Sequence, residues 1–371
     1  MGYVVHTVSD RRTLRDFIDL PWRVYRDDPN WVPPISSEVR RTLDERRNPF
    51  FARARRRLYV CYHDGSAVAR IAVVINPRHQ EKFGVKSAFF GFFESMNDPE
   101  AVRQMFTTAV EYCRQEGVEL LEGPFNPNHY SELGLQVSNF DTPPTFFQTY
   151  NPGYYCGLLE GIGFRKSACF YTARNDQIRE YVVNRYGDMQ SPLELQGFTV
   201  RSLDLARLAT DLEILREVFN DAFSSNWHFL SVSKEEYQFS AKFLRLVTDP
   251  DLVVIVEHDG KAVGVLLCVL DINPLLKKLR GKVGPIKYIR FLRERKRIRR
   301  LIVYAVGIRK AYRGTEVFRL LLRTMCRIAL RYDALETTWM SDNNGSAVRA
   351  ADHLGLEPDK QFAIYEMALK S

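Results

Sequence analysis

The sequence contains the same strand-and-turn pattern twice, and this repeat limits the folds that the chain can adopt. From Leu58 to Asn76, two apolar runs flank His63-Asp64-Gly65, and from Leu252 to Asn273, two apolar runs flank His258-Asp259-Gly260. An Asp-Gly pair between β-rich runs is a strong hairpin signal. The sequence therefore predicts two copies of one folding unit, each containing a β-hairpin.

Each copy continues in the same order after its hairpin. Apolar residues recur at helical spacing in Pro99–Glu116 and again in Val317–Tyr332. A short strand and a closing strand follow in each half: Val118–Glu122 and Ser167–Ala173, then Ala334–Met340 and Phe362–Leu369. We predict an α/β fold with a mixed sheet in two domains, 1–190 and 191–371, joined by a linker at Tyr186–Gly197. A length of 371 residues suits two domains.

Several classes of protein are excluded at this stage. No apolar run reaches the roughly 18 residues that a membrane span requires, and Met1–His6 lacks the basic and apolar regions of a signal peptide. The six cysteines form no CxxC pair, and no Cys/His cluster has metal-ligand spacing. We expect reduced thiols, a cytoplasmic location and no metal.

The order of strands and helices resembles the GNAT acyltransferase superfamily in two tandem copies that cover nearly the whole chain. Several phrases are similar to those of a bacterial family of double-GNAT proteins, whose members include bacterial ceramide synthases: Asp28-Pro29-Asn30-Trp31-Val32-Pro33-Pro34, Asn48-Pro49-Phe50-Phe51, Asn76-Pro77-Arg78-His79, Phe89-Phe90-Gly91-Phe92-Phe93-Glu94 and Gly123-Pro124-Phe125-Asn126-Pro127. The resemblance implies an N-acyltransferase. It would pass a long-chain acyl group from an acyl-CoA or acyl carrier protein thioester to an amine, with a sphingoid base as the acceptor and a ceramide as the product.

The resemblance places the thioester site in the second half. There, backbone N–H groups at Val306 and Ile308 would hold the acyl carbonyl, and the turn that opens the next helix would hold the donor phosphate. The residues of that turn are Arg309, Arg313, Gly314 and Thr315.

This turn departs from the superfamily pattern, because Glu316 and Phe318 replace two small residues. A carboxylate at a helix start repels a pyrophosphate. Three interpretations stay open: nearby cations compensate, the donor is a carrier protein with a single phosphodiester, or this half has lost donor binding.

The candidate catalytic residues lie in the first half, which has no Arg-Gly turn in Ser95–Glu100 and is expected to shape the acceptor side. Glu94 ends the apolar strand Ala88–Phe93, where burial would raise its pKa toward that of a base. His129 and Tyr130 follow Asn-Pro turns in a polar loop, a frequent setting for site residues. The alternative is that each is a hydrogen-bonded structural residue.

Positive charge is concentrated in two segments. The chain carries a net charge of +8, yet Lys277–Arg300 alone holds twelve Lys/Arg and one acid, and Arg40–Arg57 holds eight Arg and two acids. From Pro285 onward the first segment alternates apolar and basic residues as an amphipathic helix does. We expect it to contact an anionic membrane surface at the inner face or an acidic acyl carrier protein, whereas nucleic acid lacks a supporting motif.

Two other functions fit the same residues. One is an acetyl-CoA-dependent N-acetyltransferase of a small amine. The other is a non-catalytic binding protein on two degenerate GNAT domains.

Overall fold

The computed structural model of the protein describes residues 2–129, 131–187, 193–282, 284–341 and 344–369, without the side chains of residues 243–246. The first half forms β1 (Tyr3–Thr7), α1 (Arg11–Asp19), α2 (Pro21–Val24), α3 (Ser36–Leu43), β2 (Arg55–His63), β3 (Ser66–Ile75), α4 (Pro77–Phe83), β4 (Ser87–Ser95), α5 (Pro99–Gln115), β5 (Leu120–Gly123), β6 (Phe125–Asn126), β7 (Glu132–Leu133), β8 (Leu135–Gln136), α6 (Tyr155–Glu160), β9 (Arg165–Asn175) and α7 (Ile178–Tyr186).

The second half forms β10 (Phe198–Ser202), α8 (Leu208–Phe223), α9 (Lys234–Val247), β11 (Val253–His258), β12 (Lys261–Leu270), α10 (Asn273–Leu279), α11 (Pro285–Glu294), β13 (Arg300–Ile308), α12 (Val317–Ala329), β14 (Ala334–Thr337), α13 (Gly345–His353) and β15 (Glu357–Ala368). Short 3-10 helices lie at Pro49–Ala52, Leu205–Arg207, Pro250–Leu252, Arg295–Arg297 and Lys310–Tyr312. None of the described helices is long and apolar enough to cross a membrane.

The two repeated hairpins form as the sequence predicts. β2 pairs with β3 and β11 pairs with β12, both antiparallel. In both turns the Asp and the Gly adopt positive φ, at Asp64 and Gly65 and at Asp259 and Gly260. Two consecutive left-handed residues match the right-handed twist of the flanking strands, which is why Asp-Gly is favoured there.

The chain divides into two compact units that interleave along the sequence. Unit 1 comprises Met1–Phe170, Asn273–Lys287 and Lys360–Ser371, and unit 2 comprises Tyr171–Ile272 and Tyr288–Asp359. The division of the sequence into halves 1–190 and 191–371 stays a prediction about the two copies. Its linker falls partly on residues 188–192, which lie outside the described residues.

The sheet of unit 1 has the order β1-β2-β3-β4-β5-β15. Its neighbours are antiparallel except β4 and β5, which are parallel. Helix α5 covers one face, where Phe90, Phe93 and Phe106 form the centre of a buried core, while α1 contributes Phe17 and Ile18 to the other face. Most of the aromatic residues that follow Ala88 are therefore core residues.

The sheet of unit 2 repeats this arrangement as β10-β11-β12-β13-β14, with β13 and β14 parallel, and α12 and α8 pack against its strands. Each sheet is completed by the closing strand of the other half of the chain. Asn175 of β9 pairs with Leu335, and Tyr365 of β15 pairs with Gly123. The two closing strands have similar apolar patterns, so periodicity alone does not tell which sheet each one joins.

The cross-strand pair Glu122–Glu366 between β5 and β15 makes the stability of unit 1 depend on pH. Glu122 is 3% exposed. Burial, followed by the charge of Glu366, raises the pKa of Glu122 to about 7. The folded state therefore binds a proton that the unfolded chain releases near the ordinary glutamate pKa of about 4.3, so stability is lost as the pH rises from about 4.3 to about 7.

We predict that Glu122→Gln removes this loss. Urea denaturation should show the wild type losing on the order of 3 kcal/mol relative to the variant between pH 4 and pH 8, at about 1.4 kcal/mol per unit of pKa shift. Glu119→Gln, on an exposed carboxylate that pairs with Lys86, is the control and should leave the pH dependence unchanged. If the free energy of unfolding varies with pH in the same way for the wild type and Glu122→Gln, Glu122 is not the source of the pH dependence.

Candidate functional site

The parallel strands of unit 2 separate half-way along β13. The last register pair is Val303 with Thr337. Just beyond it, the Thr338 N–H donates to the Val303 carbonyl at 3.2 Å, and the Thr338 hydroxyl donates to the Tyr304 carbonyl at 3.1 Å. From Ala305 onward, β13 continues along β12 without β14 at its other edge.

The direction of the backbone groups on this open edge follows from the antiparallel ladder. The Arg309 N–H donates to Val263 at 2.9 Å, on the β12 side. Because successive residues of a strand point their N–H groups to opposite sides, those of Ile308 and Val306 point away from β12, toward the open edge. Val306 is also 36% exposed. Both residues named from the sequence thus present backbone donors there.

The turn after β13 is held by its own arginines. Arg309 donates to the Ala262 carbonyl at 2.8 Å and pairs with Glu217 at 3.3 Å. Arg313 donates to the Ala222 carbonyl at 2.6 Å. These bonds fix the turn, and they use part of the five-donor capacity of each guanidinium.

The remaining two predicted turn residues shape its end. Gly314 has a φ of +79°, which glycine adopts without strain. The Thr315 hydroxyl donates to the Tyr312 carbonyl at 2.7 Å. Together they turn the chain into α12.

Glu316, the residue that departs from the superfamily pattern, is paired. Its carboxylate contacts Arg319 at 3.0 Å, and it makes no side-chain cap to the first turn of α12. The arginine partner offsets the repulsion that a lone carboxylate would exert on an anion at this helix start. Among the described residues at the N-terminus of α12, only the Val317 N–H has a side-chain acceptor, the Thr315 hydroxyl at 3.4 Å.

The corresponding region of unit 1 is filled by the chain itself. β4 and β5 also separate, after the pair Phe89–Glu122. Here the Asn126 side chain accepts the Phe92 N–H at 2.6 Å. Gly91 lies so close to the Phe125 carbonyl that a Cβ would come within 1.8 Å of its oxygen. The open edge seen in unit 2 is therefore occupied by β6.

The helix start is filled as well. Asp98 caps α5 by accepting the N–H groups of Glu100 and Ala101 at 3.2 and 3.1 Å. A phosphate could not use these donors without displacing the carboxylate. The two copies thus differ at both places where a donor would bind.

Glu94 is the centre of a buried polar cluster in unit 1. Its side chain is 14% exposed, and its Oε2 accepts the hydroxyl groups of Tyr25 at 2.8 Å and Tyr155 at 2.7 Å. Arg70 lies 3.5 Å from Oε1 and is held by the Phe17 carbonyl at 2.6 Å. The cluster contains a carboxyl group, a guanidinium and two phenols in one buried setting.

Burial decides the proton affinities in this cluster. It raises the pKa of Glu94, while Arg70 and the two tyrosine donors oppose the shift. Burial, followed by the charge of Glu94, also raises the pKa values of Tyr25 and Tyr155 well above the ordinary range. A carboxylate with a raised pKa is a better proton acceptor at neutral pH than an ordinary one.

His129 lies elsewhere in unit 1. Its ring stacks on buried His79 at 5.3 Å between centroids and meets Phe89 edge-on at 4.7 Å. Phe89 and Glu94 are five residues apart on β4, roughly 16 Å at 3.3 Å per residue. The structure does not bring His129 and Glu94 together, and Tyr130 lies outside the described residues.

The partners of Glu94 were not identified from the sequence. Arg70 carries a usable signal, because it is the one charged residue within the apolar run Ala67–Ile75, and a buried charge requires a partner. Tyr25 and Tyr155 carry no such signal, since tyrosines are common in cores and only the fold brings these two to Glu94.

The segment Lys277–Arg300 combines exposed cations with exposed apolar residues. In α11, Ile286 is 84% exposed and Ile289 is 61% exposed. Part of the charge is used internally, because Arg295 pairs with Asp249 at 2.6 Å and Arg290 pairs with Glu294.

The chain has relatives along nearly its whole length. It is 29% identical to the bacterial ceramide synthase of Caulobacter vibrioides over 365 residues, which cover 96% of this chain and 95% of that protein. It is 27% identical to protein YghO of Escherichia coli over 374 residues, covering 98% of this chain and 95% of that protein. No family model matches the chain.

Solved structures reveal the fold. The tandem GNAT protein from the clavulanic acid biosynthesis pathway superposes on 100% of this chain and 99% of its own, with a TM-score of 0.57 and 13% identity. The chain has the tandem GNAT fold. The resemblance inferred from the sequence is confirmed, and these likenesses together support an N-acyltransferase of the GNAT type.

Proposed function

We propose that the protein transfers a long-chain acyl group from a thioester to the amine of a sphingoid base, giving a ceramide. The observation that carries the proposal is the contrast between the copies. Unit 2 keeps an open strand edge with N–H groups that point away from β12 and a largely uncapped helix start, whereas unit 1 fills both positions with Asn126 and Asp98. Unit 2 is therefore the donor-binding copy.

The donor fits this edge through its polar groups. The acyl carbonyl would accept hydrogen bonds from the N–H groups of Val306 and Ile308, which stabilise the negative charge that develops on its oxygen during attack. The donor phosphates would bind the first turn of α12 and the remaining donors of Arg309 and Arg313. Acyl-CoA and acyl carrier protein both carry a phosphate on a pantetheine arm.

The reaction needs one proton acceptor. The neutral amine attacks the thioester carbon and the C–N bond forms. The nitrogen then loses one proton to the base, the C–S bond breaks, and the protonated base returns that proton to the sulfur, which leaves as a thiol. No bond to the enzyme forms. Of the two predicted bases we favour Glu94 over His129, because burial raises its pKa and two tyrosines hold its carboxylate in one orientation.

The identity of the acceptor and the place of reaction rest on two further observations. The relative in Caulobacter vibrioides at 29% identity is named a bacterial ceramide synthase. The exposed Ile286 and Ile289 lie among the cations of Lys277–Arg300, as in helices that rest on anionic bilayers. We propose that this segment holds the protein at the membrane surface where a lipid-like amine is found.

The deciding experiment is a donor series. Purified protein is incubated with sphinganine and acyl-CoA or acyl carrier protein thioesters from C2 to C18, and amide formation is followed by mass spectrometry. We expect amide only with long chains. Saturation by acetyl-CoA with a small amine would instead identify an acetyltransferase, and no amide together with no thermal stabilisation by any thioester would identify a binding protein.

Removal of one backbone donor tests the open edge. Val306→Pro deletes an N–H that β12 does not use, so the sheet should persist, since proline is tolerated on a strand edge. We expect kcat to fall by about 10²–10³, as for loss of one oxyanion donor. Val306→Ala keeps the N–H and serves as the matched control; equal activity in the two variants would be incompatible with the proposed oxyanion site.

The choice of base is tested by Glu94→Gln and His129→Gln. We expect Glu94→Gln to lower kcat by about 10²–10⁴ and to abolish the acidic limb of the pH–rate profile. The pH at which activity falls on that limb should be higher than the ordinary pKa of glutamate, because burial raises the pKa of Glu94. Glu119→Gln controls for loss of a carboxylate, and thermal melting checks the fold of each variant. A large loss in His129→Gln with normal activity in Glu94→Gln would make His129 the base.

A further inference from the structure

Unit 1 contains a cavity that the proposed reaction does not use. It has a volume of about 800 Å³ and opens among α1, α2, the turn of the β2–β3 hairpin and the residues Arg280, Lys282 and Lys287. Glu94 and His129 do not line it.

The walls of this cavity are strongly basic. Arg12, Arg23, Arg280, Lys282 and Lys287 line it, against two acids, Asp16 and Asp19. Asp16 accepts the Tyr62 hydroxyl at 2.7 Å, so one of the two carboxylates is already engaged. The lining carries a net charge of +3, and its cations come from three separate stretches of chain. Such convergence suits a ligand with a negative charge.

Several of these cations are held in place. Arg23 donates to the Ala67 carbonyl at 2.9 Å, and Lys287 donates to the Leu279 carbonyl at 3.0 Å. Arg280 and Gly281 both adopt positive φ. The Gly281 carbonyl accepts the Ser36 N–H at 3.1 Å, and a Cβ at Gly281 would come within 2.4 Å of Trp22. Contacts within unit 1 therefore hold Arg23, Lys287 and the backbone beside Arg280.

An apolar surface adjoins the cavity in the same stretch of chain. Lys287, which lines the cavity, is on the first turn of α11 beside Ile286, which is 84% exposed. An isoleucine this exposed next to a basic helix face is typical of a helix that enters the interfacial region of a bilayer. In that position Lys287, which adjoins Ile286 in the chain and lines the cavity, would lie near the lipid phosphates.

We propose that this cavity binds the phosphate of an anionic phospholipid headgroup while Ile286 and Ile289 enter the bilayer. The inference deepens the membrane contact proposed for Lys277–Arg300 and is independent of acyl transfer. A lipid headgroup and a soluble metabolite could both offer a phosphate ester to these cations. We propose that the occupant is the headgroup of a lipid within the bilayer.

The test measures partition of the full-length protein onto vesicles. Phosphatidylcholine vesicles are compared with vesicles that contain about one third phosphatidylglycerol, because the anionic lipid supplies the attracting charge. The cavity variants are Arg280→Asn/Lys282→Gln, in which Asn suits the left-handed position, and Arg12→Gln on a different wall. The control variant Lys86→Gln/Arg103→Gln also removes two positive charges, but from residues outside the cavity.

We expect the double cavity variant to bind anionic vesicles about thirtyfold more weakly and Arg12→Gln about fivefold more weakly, corresponding to about 1 kcal/mol per cation. Lys86→Gln/Arg103→Gln should lose less than about threefold, since charges beyond a Debye length are screened. Arg12→Gln leaves the 280–287 turn untouched, so it tests the cavity even if the double variant folds poorly.

Four results would overturn the proposal. Equal losses in the cavity and control variants would mean a general charge effect. Binding abolished by Ile286→Ser/Ile289→Ser but unaffected by the cavity variants would leave the membrane contact and remove the headgroup site. If the protein binds glycerol 3-phosphate in a titration but does not bind vesicles, the ligand of the cavity is a soluble phosphate. Binding to apo acyl carrier protein but not to vesicles would identify a protein partner. Amide formation in detergent is measured separately, so its failure counts only against the proposed acyl transfer.

Discussion

Two parallel strands that separate leave backbone N–H groups without a partner, and each copy of the fold must satisfy them. Unit 1 does so internally: Asn126 accepts the Phe92 N–H, and Asp98 caps the helix that follows. Among the described residues of unit 2, no strand pairs beyond Val303 with the edge of β13 that faces away from β12. An N–H group without a protein acceptor can gain a hydrogen bond from a ligand, which is why the proposed function has the acyl donor bind at this edge.

The two units also differ in the side chains that they place at matching positions of corresponding strands. Arg70 pairs with Glu94 across β3 and β4, and the matching pair across β12 and β13 is Val265 with Gly307. Unit 1, whose edge is filled, has a buried acid with two phenol donors at this position. Unit 2 has a small and an apolar residue there. The two copies therefore differ in the chemistry that they place on corresponding strands.

Local patterns predicted most of the fold, because they rest on local physics. The Asp-Gly turns and the helices α5 and α12 follow from turn chemistry and periodicity, whereas the Val306 and Ile308 N–H groups were named from the family resemblance. The carboxylate of Glu94 was singled out in the sequence because it ends an apolar strand. Its tyrosine partners were not found, since Tyr25 and Tyr155 reach it only through packing between distant elements. The exchange of β9 and β15 was also missed, because strand pairing between similar apolar segments is decided by the whole sheet.

That exchange has a consequence for how the protein is made. The sheet of unit 1 is incomplete until β15 pairs with β5, and β15 follows all the strands of unit 2 in the sequence. Domains usually fold in order from the N-terminus as the chain emerges. Here the first unit must wait, with the edge of β5 lacking β15, until the strands of unit 2 have been translated. The two copies are therefore inseparable: a gene fragment encoding either half alone would specify a sheet that lacks its last strand.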